Sequence, residues 1–563
     1  MKNINSVLSG KYIIVSIILL ISCEALLEDN FENTLEVTPK NQYSLEQVFS
    51  SKEGVETFIN GMYAQLQSYG YYGARMRLLL WPHSGKYQSK QGANSDANSL
   101  NITNNNINSS NLWSQIYSTI NLANIIIDNT VGSSLTNKNT SLGQAYFIRA
   151  VCYFDLVRIY NEVPLKLKTS TIADINVAKS SKEQLYNQII SDLELASDLL
   201  PDRGEYQDGR PLKYAANAYL AKLYITIAGN NDATINVADY NPVTETEIEV
   251  KTISDFWEEA KTELDFVINN GGYSLTTTFG EIFEHGNRNT NESIFELQYG
   301  YVGDIRTNDI IRDVIPAAHP SVSTGSNTFG RIRPNKEMFS DHIITYSGID
   351  YTGQNFIPVA TVTIDETVAD PRISTTYIYN SYVRTNNNKT QKVFPELNKG
   401  NNAYPFLNKY PDPTYNNTTT FNNLILFRYA DVLLLRAEVE NEINGPNSSF
   451  AFVNQVLARA RVTDSSTTTQ PADWTIASAP TKEDFRERIM KEREYELNGE
   501  GHEWFDMRRR GLGRFQEQVN HHNNAVDFYS SEGNKDLKFS DISSEITIPI
   551  PISETSANLK ISE

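Results

Sequence analysis

Apolar residues that recur at helical spacing are the feature that most constrains the fold of this chain. In five stretches before residue 272, apolar side chains follow one another at intervals of three and four, which places them on one face of an α-helix. Pro201, Gly229 and Gly271 follow three of these stripes within one helical turn or little more, and both residue types commonly end helices. The stripes predict helices over residues 55–66, 146–157, 185–199, 216–227 and 257–267.

The stripes between residues 181 and 272 combine small Ala with large Tyr and Leu side chains. Antiparallel helical hairpins of the tetratricopeptide type pack by alternating small and large side chains. No strict repeat period is visible, so this region is repeat-like. Further helical patterns occupy residues 424–442, 450–461 and 482–498. We therefore predict a mostly α fold with a tetratricopeptide-like helical-pair scaffold.

The stretch from about 273 to 423 has a different pattern. It contains clusters of Gly, Pro, Asn and Thr and short β-prone runs such as residues 360–364 (ATVTI). Long irregular stretches within a compact domain tend to be functional loops. We expect a loop-rich, irregular ligand-binding insertion here, between an N-terminal helical part at about 40–272 and C-terminal helices and a tail at about 424–563.

The N-terminus has the pattern of a lipoprotein signal peptide. Lys2 and Lys11 flank an apolar run over residues 12–21, which is shorter than the roughly 20 residues that span a bilayer. The run ends at Ser22-Cys23, as in a lipobox. We expect residues 1–22 to be removed and Cys23 to carry lipid as the first residue of a single body, 23–563. Cys152 lies in an apolar-periodic run, which favours a buried, inert thiol.

Charge and motifs exclude several functions. The chain has 49 Lys+Arg against 68 Asp+Glu, a net charge of −19, which argues against nucleic acid as a partner. No Gly-x4-Gly-Lys, Gly-x-Ser-x-Gly or His-Glu-x-x-His pattern is present, so nothing indicates an enzyme, a phosphate loop or a zinc site. We expect no cofactor. Calcium at the oxygen-rich loop of Asn94, Asp96 and Asn98 remains an alternative.

The charged residues near the C-terminus predict structural ion pairs. Across residues 491–510, acids alternate with arginines, which favour the ionised carboxylate and disfavour a general acid. The helical acids Asp431, Glu438 and Glu440 are expected to be solvated or paired. The pair His521-His522 is expected in a polar surface loop.

Several motifs in order resemble one known family. They are residues 58–66 (FINGMYAQL), 112–125 (LWSQIYSTINLANI), 145–164 (AYFIRAVCYFDLVRIYNEVP), 428–438 (RYADVLLLRAE), 489–511 (IMKEREYELNGEGHEWFDMRRRG) and 548–551 (IPIP). With Cys23, these motifs resemble the SusD/RagB family of Bacteroidetes outer-membrane lipoproteins, which are similar to the starch-utilisation-system protein D. Asn161, His502 and Glu503 depart from the residues usual in that family.

The resemblance implies a cell-surface role. Such proteins sit on the outer face of the outer membrane, bind oligosaccharides or polysaccharide, and deliver them to a partner SusC-like TonB-dependent transporter for import. A peptide ligand in the same role and, more remotely, a surface-anchored hydrolase are the alternatives. Trp113, Trp257 and Trp504 fall within the shared helical motifs and are expected in the core.

Sugar capture needs exposed aromatic faces, with polar groups that hydrogen-bond the hydroxyls. Two segments, residues 69–91 and 297–312, combine both ingredients. The candidate ligand-binding residues are Tyr69, Tyr71, Tyr72, Arg75, Trp81 and Tyr87 in the first segment and Tyr299, Tyr301, Asp304, Asn308 and Arg312 in the second.

Overall fold

A computed structural model describes residues 43–90, 95–204, 209–229, 251–299, 308–351, 353–415, 420, 422–530, 538–539 and 546–561. The chain divides into two compact units, residues 1–54 and 55–563. The expected signal peptide, Cys23, Asn94, Tyr301 and Asp304 lie outside the described residues.

Helices make up most of the described structure, and short strands join distant segments. The helices are α1 (Leu45–Val48), α2 (Lys52–Leu66), α3 (Arg75–Leu80), α4 (Ser95–Asn98), α5 (Ile107–Thr130), α6 (Lys138–Tyr160), α7 (Lys182–Leu199), α8 (Lys213–Gly229), α9 (Ile253–Asn270), α10 (Ile310–Val314), α11 (Lys336–Tyr346), α12 (Arg372–Thr376), α13 (Tyr429–Asn444), α14 (Pro446–Ala460), α15 (Lys482–Leu497), α16 (Glu503–Arg508), α17 (Gly511–Ser530) and α18 (Ile552–Ala557). The strands are β1 (Tyr87–Ser89), β2 (Ser293–Leu297), β3 (Ile332–Pro334), β4 (Tyr377–Ile378), β5 (Ser381–Val383), β6 (Thr390–Lys392), β7 (Phe406–Leu407) and β8 (Leu424–Arg428).

Consecutive long helices pack as pairs from α5 to α9, and α13 packs against α9, α14 and α15. This arrangement confirms the predicted mostly α, tetratricopeptide-like scaffold. Local sequence sets the helix starts, because Ser181, Thr252 and Thr481 form capping boxes at α7, α9 and α15. The core runs along α6 and α8, which are buried on nearly every side. Cys152 is buried there, as expected.

Tryptophan positions agree with the expectation in two cases of three. Trp113 and Trp504 are buried. Trp257 is only half-buried, because the helical spacing places its neighbour Phe256 on the face of α9 that contacts the core. The expectation for Trp257 is therefore wrong.

The strands form four two-stranded antiparallel sheets, β1 with β3, β2 with β8, β4 with β7 and β5 with β6. One pairing corrects a predicted helix boundary: residues 424–428 form β8 because β2 supplies their backbone hydrogen-bond partners, and helix α13 begins only at Tyr429. The β-prone run at residues 360–364 forms no strand.

A buried network of ion pairs fixes the C-terminal helices, as the alternating charges predicted. Arg428 Nη1 lies 2.6 Å from carboxylate oxygens of both Glu292 and Glu496, and its Nε lies 2.7 Å from Glu500. The expected solvated or paired acids are paired. Asp431 binds Arg493 at 2.6 Å, Glu438 binds Arg509 at 2.5 Å and Glu440 binds Arg436 at 2.6 Å.

The histidine pair does not lie in a loop. His521 and His522 are in α17, where His522 falls on the buried helical face with Phe515 and Val519. Its ring stacks on Phe539 with a centroid distance of 3.8 Å. The expectation of a surface loop is therefore wrong, because apolar residues at helical spacing place this pair in a helix.

Candidate ligand-binding site

The two segments predicted to hold ligand lie against each other, although more than 200 positions separate them in the chain. Gln67, two residues before the first segment, donates a side-chain hydrogen bond to Gln298 O at 2.9 Å and accepts one at its backbone oxygen from the Tyr299 hydroxyl at 2.8 Å. The backbone N–H of Asp309 donates to Gly73 O at 3.4 Å. Tertiary contacts therefore join these two segments into one region.

Three of the candidate tyrosines have no exposed surface. Tyr71 donates to Asp155 Oδ2 at 2.7 Å, Tyr87 donates to Glu503 Oε1 at 2.5 Å, and Tyr299 bonds to the backbone as described. Burial raises the pKa of both Tyr71 and Tyr87 well above the ordinary value. The expectation of exposed rings is wrong at these positions, because each hydroxyl has an internal partner that allows the whole ring to be buried.

Trp81 and Asn308 are also buried, with 5% and 1% of their surface exposed. The Trp81 ring packs against Tyr87 with centroids 5.1 Å apart. In this conformation neither residue presents a free face to solvent. Both residues therefore belong to the buried packing beneath this region.

Four candidates keep exposed surface: Tyr69, Tyr72, Arg75 and Arg312. The guanidinium of Arg75 lies 4.9 Å from the ring centroid of Tyr69. The hydroxyl of Tyr72 donates to Asp155 Oδ2 at 2.6 Å, which anchors one end of a half-buried ring. At these four positions, contact with a ligand stays a prediction.

Phe329, which the sequence did not single out, is a large exposed aromatic in this region, with 44% of its surface exposed. Its backbone N–H donates to Arg312 O at 3.0 Å. The neighbouring Thr328 is buried and donates its hydroxyl to Pro316 O at 2.9 Å. On the other side, Gly330 adopts a left-handed φ of +51°. These contacts fix the backbone on both sides of Phe329, whose ring is exposed to solvent.

Two guanidinium groups flank this ring. The central carbon of Arg312 lies 5.2 Å from the Phe329 ring centroid, and that of Arg331 lies 4.7 Å from it. Both distances are within the range of cation–π contact. We call Arg312, Phe329 and Arg331 together the Phe329 platform.

Among the described residues, carboxylates neutralise the platform only in part. Asp313 Oδ2 is 2.7 Å from Arg77 Nη2 in a buried ion pair, while Arg331 Nη1 is 3.6 Å from Asp313 Oδ1. Burial raises the pKa of the Asp313 carboxyl, and the Arg77 guanidinium opposes that shift. Arg312 Nη1 is 3.9 Å from Asp309, and within the described part of the chain Arg312 Nε has no hydrogen-bond partner.

A cavity of about 70 Å³ lies where the two segments meet, lined among others by Tyr72, Arg77, Trp81 and Ile310. It is far smaller than the roughly 300–1,000 Å³ of typical small-ligand pockets. This cavity is therefore not a pocket for a sugar ring.

The oxygen-rich loop uses its polar groups internally. Asp96 accepts a hydrogen bond from Asn106 at 2.6 Å, and the amide of Asn98 bonds to the backbone of Ser89. Among the described residues, no group of three or more His, Cys, Asp or Glu is arranged to hold a metal ion.

The sequence did contain a signal for Phe329. Residues 327–335 (NTFGRIRPN) place one aromatic residue beside two arginines within the loop-rich middle. The two segments chosen from sequence were rich in Tyr and Trp, and a single Phe did not satisfy that criterion.

The structure thus defines a helical-pair scaffold with an exposed aromatic and cationic platform among its loops. Two family models match the sequence: the SusD family over residues 291–563, and a family described as "Starch-binding associating with outer membrane" over residues 33–225. SusD-like protein P25 of Formosa agariphila is 25% identical over 526 residues, which cover 89% of this chain and 90% of that protein. SusD-like protein P2 of the same bacterium is 26% identical over 521 residues, covering 89% and 91%.

Solved structures show the same fold. A SusD homolog from Bacteroides thetaiotaomicron has a TM-score of 0.72 at 20% identity, covering 92% of this chain and 97% of that chain. A structure with xylogluco-oligosaccharide has a TM-score of 0.66 at 20% identity, covering 90% and 98%. A laminarin-binding SusD-like protein has a TM-score of 0.62 at 18% identity, covering 91% and 98%. The chain belongs to the SusD-like family.

Proposed function

We propose that this protein is a cell-surface lipoprotein that binds oligosaccharides or polysaccharide and delivers them to a partner TonB-dependent outer-membrane transporter. The observation that carries the proposal is the exposed ring of Phe329, which lies beside two arginines. In this proposal the ring packs against the C–H face of a sugar, and the guanidinium groups donate hydrogen bonds to its oxygens.

Relatives support a glycan as the ligand. One structure of the same fold was solved with xylogluco-oligosaccharide, and another is a laminarin-binding protein. Those ligands belong to those proteins, and here they favour the glycan class over the peptide class without specifying a sugar. The half-buried Tyr69, Tyr72 and Arg75 supply further surface in the same region.

The proposed place of action is the outer membrane, with which one matching family is described as associating. No helix among the described residues is long and apolar enough to cross a membrane. In our proposal lipid on Cys23 holds the protein at the membrane, facing the cell exterior. Several acyl chains on one residue give stable anchoring.

An array of glycans and peptides tests the proposed ligand class. We expect the purified protein to bind one or more glycans and to release no reducing sugar from them. Binding to peptides alone would contradict the proposed ligand, and release of reducing sugar would contradict a role in binding without catalysis.

Membrane fractionation tests the anchor. We expect Cys23→Ala to move the protein from the membrane to the soluble fraction, because the lipid attachment site is lost. Cys152→Ala is the matched control and should stay at the membrane, since that thiol is buried in α6. Membrane retention of the Cys23→Ala protein would contradict the anchor.

A further inference from the structure

Among the described residues, the charged groups in contact at the Phe329 platform have a net charge opposite in sign to that of the whole protein. The chain carries a net charge of −19. Within the described ranges, the three guanidinium groups of Arg77, Arg312 and Arg331 pair with the two carboxylates of Asp309 and Asp313, which leaves one positive charge. Such a local cationic surface on an acidic protein attracts anions.

The geometry shows which of these cations a ligand can use. Arg77 is 3% exposed and makes two hydrogen bonds to Asp313, at 3.1 and 2.7 Å, so it is committed to the interior. Arg331 is 3.6 Å from the other oxygen of Asp313, and Arg312 is 3.9 Å from Asp309. Both distances are ion-pair contacts beyond hydrogen-bond length. The two platform guanidinium groups therefore keep donors for a further acceptor.

A third element adds positive charge beside the platform. Lys90 follows β1, and its backbone N–H donates to Arg331 O at 2.7 Å. Its side chain is exposed. Partial burial and repulsion by the Arg333 guanidinium lower the pKa of Lys90. Lys90 directly after β1, Arg312 in α10 and Arg331 directly before β3 thus combine to favour an anion here.

We propose that the glycan bound at the Phe329 platform carries an acidic group, either a carboxylate or a sulfate ester, that pairs with Arg312 and Arg331. This inference rests on the proposed function. A guanidinium presents parallel N–H donors that match two oxygens of a carboxylate or sulfate, which the hydroxyls of a neutral sugar do not offer as a pair. Both guanidinium groups contact the Phe329 ring, and the exposed part of that ring supplies the surface for the sugar ring.

Matched pairs of glycans test whether the ligand carries an acidic group and distinguish a carboxylate from a sulfate ester. Oligogalacturonates are compared with their methyl esters, and sulfated galactan oligosaccharides with their desulfated forms, by isothermal titration calorimetry. We expect one acidic form to bind about tenfold or more tightly than its neutral counterpart, with binding that weakens as NaCl is raised. The pair that shows the difference identifies carboxylate or sulfate.

Variants place this preference at the platform. In the Arg312→Gln/Arg331→Gln protein, we expect the preference for the acidic form and most of its salt dependence to disappear, while thermal unfolding stays as in the wild type. Arg514→Gln, which removes a partly exposed arginine of α17, is the control and should keep both the preference and the salt dependence.

Equal binding of acidic and neutral forms by the wild type would overturn the inference and leave the proposed function intact. A preference that survives in the double variant would overturn it as well, whereas failure to bind any glycan on the array would overturn the proposed function itself.

Discussion

Arg77 and Asp313 are 236 positions apart in the chain and form a buried ion pair, with Nη2 and Oδ2 2.7 Å apart. The pair joins α3 to α10 and so connects the two segments from which the sequence predicted ligand contacts. Arg331 of the Phe329 platform reaches the same carboxylate. The position of the platform therefore depends on a contact buried behind it.

Loss of Arg77 should destabilise the protein strongly. Arg77→Met leaves the Asp313 carboxylate buried with only the longer contact to Arg331, and removal of one partner from a buried pair costs about 3–5 kcal/mol. Urea unfolding measures the change. Lys168→Met, which breaks the exposed pair with Asp128, is the control and should change stability by less than about 1 kcal/mol. A loss for Arg77→Met as small as the control's would contradict this role.

The turn before β3 should depend on glycine at one position. A Cβ atom at Gly330 would lie 2.5 Å from the ring of Phe406, in addition to the strain of a φ of +51°. Gly325 also has a positive φ, but a Cβ atom there meets nothing within 4 Å. We expect Gly330→Ala to lower the urea midpoint clearly more than Gly325→Ala does. Equal effects would show that the packing against Phe406 does not constrain this turn.

Glu503 should make stability fall between about pH 4.5 and 7. Burial raises the pKa of this carboxyl from 4.5 to about 7, and within the described residues its Oε2 has no hydrogen-bond partner. In that pH range the folded state keeps a proton that the unfolded chain has released, so stability declines as the pH rises and levels off above pH 7. The decline reaches at most about 3 kcal/mol.

Glu503→Gln removes this titration, while an amide oxygen can still accept the hydrogen bonds that Tyr87 and Gly499 donate to Oε1. Urea midpoints from pH 5 to 8 should therefore favour the variant increasingly over the wild type. The exposed Glu517→Gln should follow the wild-type profile. A constant difference between the Glu503→Gln and wild-type midpoints across this range would rule out titration of Glu503.

The sequence predicted the helical scaffold well because helix formation leaves a local signal. The stripe in α2, with Val55, Ile59 and Met62 at helical spacing, is buried as expected. The alternating charges near the C-terminus also predicted ion pairs correctly, because acids interleaved with arginines in consecutive helices can pair.

Side-chain exposure was harder to predict, because it depends on partners distant in the chain. Tyr71 and Tyr87 looked like surface rings, but Asp155 and Glu503 accept their hydroxyl hydrogens inside the protein. Phe329 was not singled out from the sequence, yet its ring is exposed beside the buried Thr328. Neither outcome is encoded in the local pattern.

Titration of a glycan into the Phe329→Ala protein tests the central claim most directly. The glycan is one that the wild type binds on the array, and Phe266→Ala, which removes another partly exposed phenylalanine on α9, is the control. If Phe329 is the platform for a sugar ring, Phe329→Ala should weaken binding by about tenfold, corresponding to roughly 1–2 kcal/mol of lost ring contact, and Phe266→Ala should bind like the wild type. Wild-type affinity in the Phe329→Ala protein would contradict the account.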